Sequence, residues 1–436
     1  MLKPTRISAG ICSGGCFECD FFIKEGTMTI TGKLSIILSV LILAAVAQGS
    51  EFSIHPAIAV REEYNDNIFL TSSNKTNDFI TEAMPSIELK YKAPILDLGI
   101  NYTYDYIYYA KGSQGTDQTH NLNANAHLTM VENLLFLDVT DTYSRVSLDV
   151  TRNFSRDSLF VNQTDQNTLT VSPNVVLHPN QLMVVKAGYR FIDYRYIDSP
   201  GIDKTDHVGF LDASYEVSPN WFITWGYTFT RELGDDALDF NRHEPYAGFK
   251  YEYANKSFLF GQVGYTWISY DNGQKLNHIY WNAGFTHNLD PVTFTINTGV
   301  RYDEDPQSNI TQETFVTASI DRQFEKGSMG LSAYYSEYDQ PNTNSLQTRK
   351  YGGSIRGSYQ FTSLLTGNLS FTAEKYDQPQ QDSYSRYLSA TAGLSYILFH
   401  DCTASLNYIY TDSYSPGITM DNYRVNRAMV EIRKVF

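Results

Sequence analysis

The sequence predicts an all-β fold: a transmembrane antiparallel up-and-down β-barrel of about twenty strands, with eighteen as the alternative. Three observations carry this. Segments of roughly 10 to 14 residues alternate apolar and polar side chains from about residue 52 to the end. Tight turns and long polar loops take turns in joining those segments, and the final segment ends on Phe436.

The alternation is clearest in Trp221-Phe222-Ile223-Thr224-Trp225-Gly226-Tyr227-Thr228-Phe229-Thr230, where odd positions are apolar and even positions are mostly Thr or Gly. A period of two places all the odd side chains on one face of a strand. Leu259, Gly261, Val263, Tyr265 and Trp267 repeat the pattern, as do Phe294, Ile296, Thr298, Val300 and Tyr302, and again Ile355, Gly357, Tyr359 and Phe361. No helical period appears beyond the leader.

Connection length separates a barrel from a soluble sandwich. Tight turns fall at Lys92-Ala-Pro94, Val131-Glu-Asn133, His178-Pro-Asn180, Ser218-Pro-Asn220, Ala254-Asn-Lys256, Leu289-Asp-Pro291, Glu325-Lys-Gly327, Thr362-Ser-Leu364 and His400-Asp401. Longer polar loops lie between them, near 65–77, 112–119, 150–165, 198–206, 233–242, 271–276, 303–311, 339–348, 377–384 and 412–421. Membrane barrels keep tight turns on one side and long loops on the other, and they close because hydrocarbon offers an unpaired strand edge no partner.

Aromatic residues gather where strands meet loops, in Tyr102-Tyr104-Tyr106-Tyr108-Tyr109, Tyr189-Phe191-Tyr194-Tyr196 and Tyr334-Tyr335-Tyr338. Amphipathic rings favour the headgroup boundary, so these read as girdles. A Tyr-Asp-Gln-Pro lip recurs at Tyr338–Pro341 and Tyr376–Pro379, with looser copies at Tyr302 and Tyr270. Its Tyr reads as part of the girdle and its Pro as a stop to pairing. Its carboxylates form a rim that can also attract divalent cations. In the last strand Ala428, Val430, Ile432 and Phe436 share one parity. That spacing resembles the terminal signal by which barrel-insertion machinery recognises its substrates, with Lys434 standing where a hydrophobic residue is usual.

Composition agrees with this class. The chain has 436 residues, 14% of them aromatic and 19% charged, with a net charge of −15 and a mean hydropathy of −0.33. An acidic chain with no basic face excludes nucleic acid as a partner. The continuous apolar run Leu34–Ala47 follows Lys33 and precedes small residues, as in a secretory signal peptide over 28–49. Met28 then reads as the start, residues 1–27 as an upstream artefact or extended leader, and 50–436 as the barrel. Cys12, Cys16 and Cys19 have the spacing of an iron-sulfur site. Their place ahead of an export signal argues against a cluster, so no cofactor and no metal is expected. Cys402 is the one cysteine in the barrel region, and one cysteine makes no internal disulfide.

The segment Ile54-His55-Pro56, continuing through Tyr64-Asn65-Asp66-Asn67-Ile68-Phe69-Leu70, Asp78-Phe79-Ile80-Thr81 and Met84-Pro85-Ser86-Ile87-Glu88-Leu89, resembles the opening of a known group. It is similar to the outer-membrane β-barrel porins associated with exopolysaccharide and PEP-CTERM systems of Gram-negative bacteria. About forty residues carry the motif, and the rest matches in barrel style and length. The resemblance implies an outer-membrane barrel serving polysaccharide export or secretion, and it implies no catalytic residue.

With the apolar parity assigned outward, Lys186, Arg190, Lys250, Glu252, Arg301, Asp321, Arg356, Glu374, Arg427, Glu431 and Arg433 point into the lumen. Mixed charges there either pair across the wall or set a field across a channel; the sequence leaves both open. His207, His243, His278 and His287 stand singly, outside any Gly-x-Ser-x-Gly elbow or His-Glu-x-x-His helix, so the chain reads as no enzyme. A barrel of about twenty strands is too wide to fill with its own side chains, and the loop at 150–165 is the one expected to fold inward. The functional expectation is a passive pore or export conduit for sugars or polysaccharide in the outer membrane of a Gram-negative bacterium. A non-conducting surface-interaction barrel and an outer-membrane hydrolase are the alternatives. The expected partners are outer-membrane lipid and lipopolysaccharide, the insertion machinery, and polysaccharide export components.

Overall fold

The computed structural model describes residues 50–149, 151, 158, 161–197, 201–235, 237–308, 310–340, 345–416 and 422–436. The leader and the three cysteines before it lie outside these, as do most of residues 150–160.

Twenty strands follow one another: β1 (Glu51–Asn65), β2 (Asp78–Ala93), β3 (Leu96–Tyr109), β4 (Asp117–Val131), β5 (Leu135–Ser147), β6 (Gln163–Asn180), β7 (Met183–Tyr196), β8 (Lys204–Ser218), β9 (Trp221–Gly234) and β10 (Phe240–Ala254). The second half holds β11 (Ser257–Tyr270), β12 (Lys275–Asn288), β13 (Val292–Glu304), β14 (Ile310–Phe324), β15 (Gly327–Gln340), β16 (Ser345–Gln360), β17 (Leu365–Gln378), β18 (Ser383–Phe399), β19 (Cys402–Tyr414) and β20 (Tyr423–Val435). The count is twenty, not eighteen. Each strand pairs antiparallel with the next, and β20 pairs with β1 from Ala57–Val435 to Asn65–Arg427, so the sheet closes on itself. The only helical turn among the described residues is a 3-10 turn at Pro379–Gln381.

Parity sorts the two faces. Ile54, Ile58 and Val60 of β1, Val263 of β11, Ile279 of β12 and Leu369 of β17 stand exposed on the outside. Water would penalise such a surface by about 25 cal/mol for every Å², whereas acyl chains accept it, and this defines a lipid-facing band. A spanning strand needs about 9 to 11 residues, yet strands here run from 13 to 18. Lys434 has the outward parity of the terminal strand, but its Nζ reaches the His400 carbonyl at 2.9 Å and lies 5.8 and 5.9 Å from the Phe399 and Phe436 rings. A long stem that carries its charge to the interface explains how a cation is tolerated beside Phe436.

The strict period of two corrects the girdle expectation. Tyr102, Tyr104, Tyr106, Tyr108, Tyr189 and Tyr335 share the outward parity, while Tyr109, Tyr194, Tyr334 and Tyr338 pair with lumen-facing neighbours. The lip motif is corrected likewise: Tyr338 and Tyr376 are buried inside the barrel, and the Tyr376 hydroxyl donates to Glu374 Oε2 at 2.5 Å. Clusters of Tyr at strand ends therefore serve the inner wall as well as the headgroup ring.

Candidate functional site

Twenty strands about 4.8 Å apart and tilted about 40° enclose a barrel on the order of 40 Å across between backbones. Its interior is not uniform. Toward the turn end, side chains of lumen parity stand in open space: Asn282, Ser358, Asn368 and Ser370 are exposed, and the Arg356 side chain keeps 69% of its accessible surface. Toward the loop end the interior is closed, and Glu63, Asn67, Glu82 and Val425 have no exposed surface.

All eleven sequence-designated charges lie on the lumen parity of their strands. Most are paired. Arg427 grips Glu63 through two bonds of 2.8 Å, Arg301 holds Glu313 at 2.6 Å, Arg356 holds Asp321 at 2.7 Å and Lys250 holds Glu252 at 2.6 Å. Lys186 lies 3.8 Å from Asp138, and Glu374 lies 3.6 Å from Lys350. Arg190 instead stacks over the Phe210 ring at 5.1 Å, and no carboxylate partner for it occurs among the described residues. Of the two readings left open by the sequence, wall bracing accounts for the paired charges.

Three segments close the loop end, and none of their key residues is among those eleven. The first is the loop after β1, which holds the Asn65–Leu70 motif. Ile68 packs on Ile80, Ile107 and Tyr109, and Leu70 packs on Tyr423 and Val425, all on the inner wall. The motif's polar residues fix this turn. Asn67 N donates to Asn65 Oδ1 at 2.9 Å, and the Asn67 amide donates to the carbonyls of Thr71 and Arg424 at 2.8 and 3.0 Å. Asp66 accepts from the Asn426 backbone and side chain, both at 2.7 Å. The motif thus binds the seam between the first and last strands.

At the second, strand pairing stops and inward side chains bridge the gap; the third is a hairpin end that leaves the wall. Pairing of β4 with β5 stops at Leu122–Tyr143, and Arg145 then reaches Asp117 and Asp165, both at 2.8 Å. Pairing of β12 with β13 stops at Trp281–Val300. Above that point the β13–β14 hairpin tucks inside its neighbours. Ile310, which has outward parity, packs against Phe240, Ile268 and Leu276, which have inward parity. Such contacts require the hairpin's outer face to lie against the inner face of the wall. A latch holds it: Lys204 Nζ is 2.5 Å from Glu304 and 3.7 Å from Glu232, and Ile202 N donates to the Pro306 carbonyl at 2.8 Å. The expected inward loop at 150–165 falls largely outside the described residues, although Val161 packs against the Leu70 cluster.

Two of the rim carboxylates, Asp271 and Asp377, are taken by cations of the chain itself. Asp271 receives two bonds from Arg231, at 2.7 and 2.8 Å, which hold its carboxyl below the usual range, and Lys375 lies 2.6 Å from Asp377. Among the described residues no group of three His, Cys, Asp or Glu is placed to hold a metal ion. His207, His243 and His287 each share a hydrogen bond with a Tyr hydroxyl, from Tyr189 at 2.5 Å, Tyr227 at 2.6 Å and Tyr253 at 2.7 Å. They serve the outer face. His278 points inward beside Tyr302.

One inner-wall device escaped the sequence reading. Tyr334 of β15 lies over Gly352 of β16 and donates to Glu374 of β17. A Cβ on Gly352 would stand 2.2 Å from the ring. Gly352→Val is therefore expected to displace Tyr334 and lower stability by about 1–3 kcal/mol, which a shift of the unfolding midpoint in detergent would measure.

No family model matches the sequence, and no curated protein matches it. Solved structures match in fold. A mutant of the ferric enterobactin receptor PfeA from Pseudomonas aeruginosa aligns over 88% of this chain and 80% of its own at 8% identity, with a TM-score of 0.51. The copper transporter OprC aligns over 89% and 81% at 10% identity and 0.49, and the outer membrane protein opdK from Pseudomonas aeruginosa over 88% and 99% at 10% identity and 0.41. At such identities the likeness is one of fold: the chain is a closed barrel of the outer-membrane type.

Proposed function

We propose that this chain is a passive pore in the outer membrane of a Gram-negative bacterium, open toward the periplasm and narrowed at its outer mouth by its own hairpins. The observation that carries the reading is the contrast within the lumen. Side chains at the turn end face open space, while those at the loop end are packed by the β13–β14 hairpin and the loop after β1. Polar, braced walls around a space too wide for side chains to fill suit the passage of small hydrophilic solutes. The fold likeness to outer-membrane proteins supports the location. Sugars as solutes, and service to an exopolysaccharide system, rest on the resemblance of residues 54–89 to porins of that association. We infer the insertion machinery as a transient partner from the outward row Ala428, Val430, Ile432 and Phe436.

Purified protein in planar lipid bilayers is expected to give discrete conductance steps. A folded, inserted barrel that passes no current at any voltage would remove this reading in favour of the second, a closed interaction barrel, for which the complete burial of Glu63, Asn67 and Glu82 at the mouth speaks.

A further inference from the structure

The inner wall from β7 to β12 carries aromatic rings in an unusual posture. Tyr246 of β10 crosses Gly226 of β9, and its hydroxyl donates to Asp212 Oδ1 of β8 at 2.7 Å. A Cβ on Gly226 would come within 2.5 Å of that ring. Tyr280 of β12 covers Gly264 of β11 in the same way, with ring atoms 2.2 Å from where a Cβ would stand. Phe260 covers Gly284 and Phe210 covers Gly188, at 2.3 and 2.7 Å by the same measure. Each of these glycines points into the lumen, so each ring lies along the wall rather than projecting from it.

A ring that rests one face on a glycine turns its other face to the interior. Tyr246, Tyr280 and Phe260 are half-buried, as this posture requires, and Phe210 is roofed by the Arg190 guanidinium. Tyr246 and Tyr280 sit in one hydrogen-bonded row with Gly264 between them, about two strand spacings or ~10 Å apart. Exposed Asn282 and the Asp212 carboxylate flank them. This row lies on the turn side of the patch where Ile310 packs against Phe240, Ile268 and Leu276, within the open part of the lumen.

From this we infer a carbohydrate-binding strip on the inner wall of β7–β12, in which Tyr246, Tyr280 and Phe260 stack on the apolar faces of successive sugar rings while Asp212, Asn282 and Arg190 bond their hydroxyls. The inference deepens the pore reading and rests on it for access to the lumen. The chemistry is specific to rings that are apolar on their faces and hydroxylated at their edges. Flat wall-mounted aromatics offer a π surface without blocking passage, and the planar Arg190 fork offers several donors.

The test is calorimetric titration of the folded protein in detergent micelles with maltohexaose, a neutral hexasaccharide of glucose, with sorbitol as the acyclic control. Saturable binding of maltohexaose is expected, with none for sorbitol. Tyr246→Ala and Tyr280→Ala are each expected to weaken binding at least tenfold. Tyr246→Phe, which keeps the ring and loses the Asp212 bond, should bind within threefold of the parent. Phe285→Ala, on the outer face, serves as the control for general destabilisation. Absence of saturable binding, or equal binding by the Tyr→Ala variants, overturns the strip. Titration needs no ion current, so a barrel that binds maltohexaose but conducts nothing would sink the pore and spare the strip. One that conducts without binding would do the reverse.

Discussion

Lys204→Met is expected to raise the single-channel conductance at least twofold. Lys204 lies between Glu304 of the inturned hairpin and Glu232 of the wall, with its side chain only 5% exposed. Methionine fills similar space but leaves the inturned Glu304 without its cation, beside the acids Glu232 and Asp206 of the same inner wall. Removing one partner of a buried ion pair costs about 3–5 kcal/mol. The apolar hold on the other side, mainly Ile310 against Phe240, Ile268 and Leu276, contributes about 1.5–3 kcal/mol. Loss of the ion pair is therefore expected to win. The part that yields is the hairpin, because above Val300 it has lost its β12 neighbour. The double variant Lys204→Met with Glu304→Gln removes the uncompensated acid and keeps Ile310, so its conductance should fall back toward that of the parent. Recordings in planar bilayers check both. Equal conductance of parent and single variant would show that the hairpin does not limit the pore.

The latch also marks where sequence reasoning stopped. Alternation and connection length made the strands, their number and the two faces legible, because period two and hairpin spacing are local properties of the chain. Every strand from β1 to β20 overlaps a segment read that way, and the sixth runs on through His178-Pro-Asn180 before turning. What the pattern hides is departure from the wall. Glu304 and Ile310 carry the outward parity of β13 and β14, yet both meet the inner wall rather than lipid, because the hairpin end has moved inside β10–β12. Nothing local records that displacement; it depends on a lysine about a hundred residues earlier. The glycine-seated rings were hidden for a related reason. Tyr246, Gly226 and Asp212 lie on three strands, and a single strand's alternation shows each only as an inward residue. The resemblance at Tyr64–Leu70 did point to a place of consequence, though its physical role became visible only against β20.

That role yields the second large expectation. Asp66→Ala combined with Asn67→Ala should lower the temperature at which the folded barrel unfolds in detergent by several degrees. Asp66 receives the Asn426 backbone amide and side chain, and Asn67 satisfies two carbonyls, those of Thr71 and Arg424, from a fully buried position. Alanine at both sites takes these partners from the Asn426 backbone amide and the Thr71 carbonyl, at about 1–3 kcal/mol for each group left unsatisfied, while the Arg424 carbonyl keeps Lys75 Nζ at 2.8 Å. The location matters as much as the number. The seam between β1 and β20 pairs only from Ala57 to Asn65, and chain connectivity does not join those two strands, so the ladder and the motif above it must do so. An equal loss within a hairpin is opposed by a covalent turn, whereas loss at the seam exposes two strand edges to lipid, where unpaired backbone groups cost several kcal/mol each. Ser73→Ala, in the exposed part of the same loop, should leave the unfolding temperature within about a degree. Gel mobility after graded heating in SDS separates the closed from the opened barrel. If the double variant melted with the parent, the motif would owe its presence to the inward packing of Ile68 and Leu70 rather than to closure of the seam.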